Sequence, residues 1–143
     1  IHMKSIHTEK APAAIGPYSQ AIEANGTVYV SGQLPVDPHT GQMIEGDIKT
    51  LAHQVFKNIS QILSAAGVGL DNVVKVTVMM ADMNDFADMN EVYASYFSEP
   101  YPARSAYAVK NLAKNSRLGI ECIGVTPQGK WIGLEYSVPR VRY

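Results

Sequence analysis

Between Asp47 and Gly67 the chain reads DIKTLAHQVFKNISQILSAAG, with apolar side chains at Ile48, Leu51, Ala52, Val55, Ile59, Ile62, Leu63 and Ala66. That three-four spacing gathers them on one stripe of a helix. Asp47 has the short acidic side chain that accepts from first-turn amides, and Gly67 supplies the left-handed residue on which helices stop. A helix with one apolar stripe has to lay it on something flat. The next apolar run, Val73 to Ala81 (VVKVTVMMA), is β-branched and too short for an independent helix, so it reads as a strand.

The other elements follow from the same rules. Tyr18 to Glu23 and Thr27 to Ser31 are strand-like runs joined by Asn25-Gly26, a dipeptide that tolerates positive φ twice and so predicts a tight hairpin. Pro35, Pro38, Gly41 and Gly46 mark an irregular connection. After Asp82 or Asn84 as cap, helical spacing resumes over Asp85 to Phe97 with Phe86, Met89, Val92, Tyr93, Tyr96 and Phe97, and Pro100 and Pro102 end it. Strands are expected at Arg104 to Lys110 and Arg117 to Val125. The order predicts an α+β two-layer domain, a mixed β-sheet with both helices on one face. The opposite sheet face then needs cover, which in a small chain favours an oligomer whose sheets pack together.

Bulk properties narrow the function. The chain has 143 residues, enough for one domain, and a net charge of -1 that gives no global field for nucleic acid or acidic membrane. Its single cysteine, Cys122, cannot form an internal disulfide and sits in an apolar strand-like run. No apolar segment approaches a membrane span, and a cytoplasmic location is the simplest expectation. Ile1-His2-Met3 reads as vector-derived residues around a natural start at Met3, residues 4–125 as one domain, and residues 126–143 as a C-terminal extension. The extension reads either as an extra strand over 130–137 with Trp131 packed down, or as a poorly ordered tail.

His2, His7, His39, His53 and Cys122 have no metal-ligand spacing, and no phosphate or dinucleotide loop occurs, so no metal or cofactor is expected. Asp82, Asp85 and Asp88 read as helix-start acids that complement the macrodipole. Met79, Met80, Met83 and Met89 read as core filler.

Four motifs carry a resemblance: Ile15 to Gln20 (IGPYSQ), Val30 to Pro35 (VSGQLP), Asn90 to Tyr93 (NEVY) and Pro102 to Ser105 (PARS). They stand, in order, as in the reactive intermediate deaminases, the RidA or YjgF family, which the chain resembles over roughly Met3 to Val125. The resemblance implies a chorismate-mutase-like fold and a homotrimer with sheets packed in the centre and ligand clefts between subunits. It also implies cofactor-free hydrolysis of 2-imino acids, or their enamine tautomers, to 2-oxo acids and ammonia. Arg104 is then the clamp for the substrate carboxylate, a planar group that a guanidinium grips through two parallel hydrogen bonds. By position, Tyr18 walls the cleft, Ser31 and Gly32 line it, and the main-chain N–H of Ala106 adds a contact. Asn90 and Tyr93 match a helix signature that suits helix packing as well as ligand contact.

One position departs from the pattern. In relatives the last strand reads Ile-Glu-Ile-Glu, and the first glutamate is the residue thought to hold the attacking water. Counting from Arg104, that place is Gly119, and the second glutamate is Glu121. Strand alternation puts both on one side, roughly 6.5 Å apart. Either Glu121 or a second water partly fills the role, or Glu121 is an interface or structural acid; the departure implies a weakened or retuned deaminase, or alternatively a non-catalytic binder of small carboxylates. An RNA-cleaving role finds no basic-aromatic stripe to support it.

Overall fold

The structure, a computed structural model, describes residues 2–127. Six strands form one sheet: β1 (Met3–Ile6), β2 (Ala21–Ala24), β3 (Thr27–Gln33), β4 (Val73–Met80), β5 (Ala103–Ala108) and β6 (Leu118–Val125). Their spatial order is β1-β2-β3-β6-β4-β5, with β4 and β5 parallel and the other neighbours antiparallel. The helices are α1 (Ile48–Ala65) and α2 (Phe86–Tyr96). This is the expected mixed sheet with two helices.

Local chemistry explains the elements. Asn25 and Gly26 both take positive φ, 52° and 78°, which is the conformation a two-residue hairpin between twisted strands demands. Asp47 caps α1 by accepting from the Thr50 amide at 2.9 Å, and the chain leaves the helix through Gly67 at φ 81°. A single 3-10 turn, with Asp82 accepting from the Asn84 amide, leads into α2.

The stripe on α1 is buried along Leu51, Val55, Ile59, Ile62 and Leu63, against Val28 and Val30 of β3, Val76, Val78 and Met80 of β4, and Leu118, Ile120 and Cys122 of β6. Phe56 joins the helices through edge and stacked contacts with Tyr93, Tyr96 and Phe97. The opposite sheet face carries Tyr29, 49% exposed, and Tyr107, 47% exposed. The two rings stand on β3 and β5, with β6 and β4 between them.

Two expectations change. Met3, set aside as lying before the fold, opens β1 and pairs with Ala24 at the sheet edge; the run MKSI is too short to show a period. Of the four methionines read as core filler, Met80 and Met89 are fully buried, Met83 is exposed, and Met79 is half-buried on the face away from the helices. Strand alternation alone separates Met79 from Met80. The strand proposed over 130–137 lies outside the described residues.

Candidate active site

Arg104 and Gly119 lie on neighbouring parts of one sheet but on opposite faces of it. Arg104 registers with Val76, whose side chain is buried beneath the helices, whereas Gly119 registers with Met79 on the outer face. Within a single chain the expected site therefore falls into two halves.

The first half is the arginine. Arg104 projects from the edge strand β5 toward α2, where its Nη1 donates to Asn90 Oδ1 at 2.6 Å. Its guanidinium carbon sits 4.6 Å from the centre of the Tyr93 ring and 5.3 Å from that of Phe86. A planar cation laid on aromatic faces is held in orientation while its edge stays free. Among the described residues no carboxylate pairs with it, so the surface salt bridge that would make this an ordinary arginine is absent. A cavity of about 480 Å³ opens beside it, lined by Asn90, Tyr93, Ala94, Tyr101, Pro102 and Arg104. Burial pushes the Tyr93 phenol up, and the Arg104 charge pulls it partly back. Among the described residues the buried Tyr93 hydroxyl has no hydrogen-bond partner, and the guanidinium lies over the ring face. Tyr93 packs α2 against Phe56 of α1, and Asn90 and Tyr93 both contact Arg104.

The second half is a recess of about 450 Å³ on the other face. It brings together Tyr18, Gly32 and Gly119 as expected, and adds Ile15, Leu34, Met79 and Leu112. Tyr18 is 50% exposed at its mouth. Ser31 stands beside the recess with its hydroxyl donating to the Ser19 carbonyl, which ties the Tyr18 segment to β3. Ala106 is half-buried on the helix side of β5, away from this recess. Glu121 is exposed on the outer face opposite Thr77 and is not part of the lining.

Two buried amides that sequence reasoning passed over build the recess walls. Gln20 accepts from the Thr8 amide at 2.7 Å and donates to the carbonyls of Thr8 at 3.0 Å and Pro12 at 2.8 Å. It thereby fixes the segment that carries Ile15 and Tyr18. Asn58 of α1 donates to the carbonyls of Leu34 at 3.2 Å and Val36 at 2.9 Å, fixing the opposite wall. Asn58 was findable in principle, as a polar residue inside the apolar stripe of α1. Leu112 and Lys114, in the connection before β6, gave no sequence signal.

The fold agrees with known proteins. The sequence profile of the endoribonuclease L-PSP family matches residues 8–126. The chain belongs to the endoribonuclease L-PSP, or RidA/YjgF, family. A 2-iminobutanoate/2-iminopropanoate deaminase from Mus musculus is 52% identical to this RidA-family chain over 129 residues, covering 90% of it and 94% of the mouse protein. The Homo sapiens protein of the same name is 50% identical, covering 84% and 88%. Among solved structures, RidA from an Antarctic Psychrobacter superposes with a TM-score of 0.82 at 50% identity, covering 85% of this chain and 98% of that one. E. coli TdcF with bound serine superposes with a TM-score of 0.81 at 43% identity, again covering 85% and 98%. The RidA fold is therefore that of this chain.

Cys122 is buried in β6. Burial pushes its thiol up to about 12, and Glu121 adds to the effect.

Proposed function

We propose that this protein hydrolyses reactive 2-imino acids, 2-iminobutanoate and 2-iminopropanoate among them, to 2-oxo acids and ammonium. The observation that carries the reading is Arg104: a guanidinium aimed by a neutral amide, stacked on two rings and, among the described residues, without an acid to neutralise it. Such a group binds a planar carboxylate through two parallel hydrogen bonds. The mouse and human relatives that bear the deaminase name support the choice of reaction.

The two halves of the site require an oligomer. In a homotrimer with sheets turned inward, Arg104 of one chain meets the recess of the next, and the exposed Tyr29 and Tyr107 face is covered. A 2-imino acid would lie across that seam with its carboxylate on Arg104 and the main-chain N–H of Ala106. Its C2 would then point toward Tyr18, Ser31 and Gly32. Fixing the carboxylate orients C2 for water, and positioning of this kind supplies a large share of the rate. The imine is protonated at neutral pH, so it is electrophilic before the protein acts.

A second reading has its own observation. Gly119 contributes no side chain to hold the attacking water, and Glu121 stands outside the recess. This favours a binding protein that takes small 2-oxo or 2-imino carboxylates in the same cleft without turning them over.

One experiment separates the two. 2-Iminobutanoate is generated in place by a threonine dehydratase, and its loss is followed with the protein, without it, and with Arg104→Ala. The deaminase reading expects acceleration that Arg104→Ala abolishes. No acceleration by the parent, together with saturable binding of 2-oxobutanoate, establishes the binding reading instead.

A further inference from the structure

The recess at Gly119 is more apolar than hydrolysis of the smallest imines requires. A Cβ placed on Gly119 would meet Leu34 Cδ2 at 3.4 Å, Leu112 Cδ2 at 3.5 Å and the Gln33 carbonyl oxygen at 3.8 Å. Those are ordinary contacts, so a methyl group fits there against hydrocarbon. Met79 stands across the β4–β6 pair from Gly119, and its Cε comes within 3.9 Å of where a Cβ on Gly32 would lie. A carboxylate in such surroundings gives up water for leucine and methionine side chains, whereas an alkyl chain gains by the same exchange. The recess of about 450 Å³ lies within the range of small-molecule sites. The methyl or ethyl group of the smallest 2-imino acids fills little of it.

We propose that this recess reads the substrate's side chain and selects 2-imino acids whose side chains are apolar and about four carbons or longer. Gly119, Leu34, Leu112 and Met79 are the specificity-determining residues. The proposal rests on the deaminase reading and names the substrate class for it. The side chain R is untouched by the reaction: R–C(=NH2+)–COO− and water give R–CO–COO− and NH4+. Selection therefore comes from burial of R alone, and each further carbon buried is worth about 4-fold, so two carbons give about 10-fold or more. The replacement of an acid by Gly119 has a positive consequence in this account. It vacates the volume in which R is buried.

Lys114, at the rim, is the one charged side chain lining the recess among the described residues. A substrate with a second carboxylate is thus the competing occupant, and the test has to include one. An L-amino acid oxidase with catalase generates imines in place from alanine, 2-aminobutyrate, leucine and glutamate, and the protein's kcat/KM is measured on each. The leucine-derived imine is expected to exceed the 2-aminobutyrate-derived imine by about 10-fold or more. Gly119→Ala and Leu112→Phe, which narrow the recess from two sides, are each expected to lower that ratio. Equal or better turnover of the small imine, or a ratio that neither variant moves, overturns the proposal and leaves the deaminase reading intact. A preference for the glutamate-derived imine that Lys114→Met removes also overturns it. Failure to accelerate any of the four imines sinks the deaminase reading itself.

Discussion

Arg104 and Asn90 are joined by a 2.6 Å hydrogen bond in which the acceptor is an uncharged amide. An acid in that place would fix the guanidinium equally well but would also neutralise it. The amide directs the arginine without neutralising its charge.

Removing the amide should therefore weaken anion binding without unfolding the protein. For Asn90→Ala, the expected result is a 5- to 10-fold loss of affinity for 2-oxobutanoate, corresponding to about 1 kcal/mol for an exposed charge-assisted hydrogen bond. Isothermal titration checks it, with thermal melting as the control for folding. An unchanged affinity would mean that the two aromatic rings suffice to aim Arg104.

Restoring the family's acid should change the pH dependence. In Gly119→Glu, the new side chain would start with its Cβ against Leu34 and Leu112, and a carboxyl desolvated in this apolar recess has its pKa raised above its usual value of about 4.3. Only the ionised form polarises water, so the rate on 2-iminobutanoate should climb as pH rises through that shifted value. Above it the gain should be about 100-fold, the lower end for a positioned general base. A profile that overlays the parent's would show that the acid is not what limits turnover.

Gln20 offers a stability test. Gln20→Ala leaves the Thr8 amide and the Thr8 and Pro12 carbonyls without their partner, at a cost of about 2–3 kcal/mol. A lowered urea midpoint with an unchanged slope is the expected reading. Ligand affinity should fall too, because the segment carrying Tyr18 is no longer fixed.

Cys122 should be inert until the protein unfolds. With its thiol pushed up to about 12, only about one molecule in 10,000 is thiolate at pH 8. Labelling by a thiol reagent should follow the unfolding transition. The folded chain holds this proton more tightly than the unfolded one, whose thiol titrates near 9.0. The stability it contributes is present below pH 9 and is lost as pH rises from about 9 to 12. Cys122→Ala should flatten that part of the pH-stability curve.

The sequence made α1, α2, the Asn25-Gly26 hairpin and strands β2 to β6 legible because each carries a local signal: a period, a cap or a turn residue. β1 was missed because four residues carry no period and gain their place only by pairing with β2. In the site, motif order made Arg104, Tyr18, Gly32 and Gly119 legible, and the structure brings the last three into one recess. Arg104 does not join them within one chain, a division that only the register of β5 on β4 reveals. Leu34, Leu112 and Met79 were illegible for a related reason. Their convergence depends on loop paths and on Asn58 holding one of them, and no short window of sequence carries that information. Lys114 enters through a backbone at φ 55°, which lysine seldom advertises.

β6 is the last strand in the described chain, yet it lies in the middle of the sheet, between β3 and β4. Until a ribosome has released it, the earlier strands have no central member to join them, and the hairpin and the β4–β5 pair remain separate. The polypeptide must wait for β6 before this part of its core can close. A chain stalled short of residue 118 would expose valines and leucines to aggregation partners. Synthesis and folding of this protein are thus ordered in time by where one strand was placed.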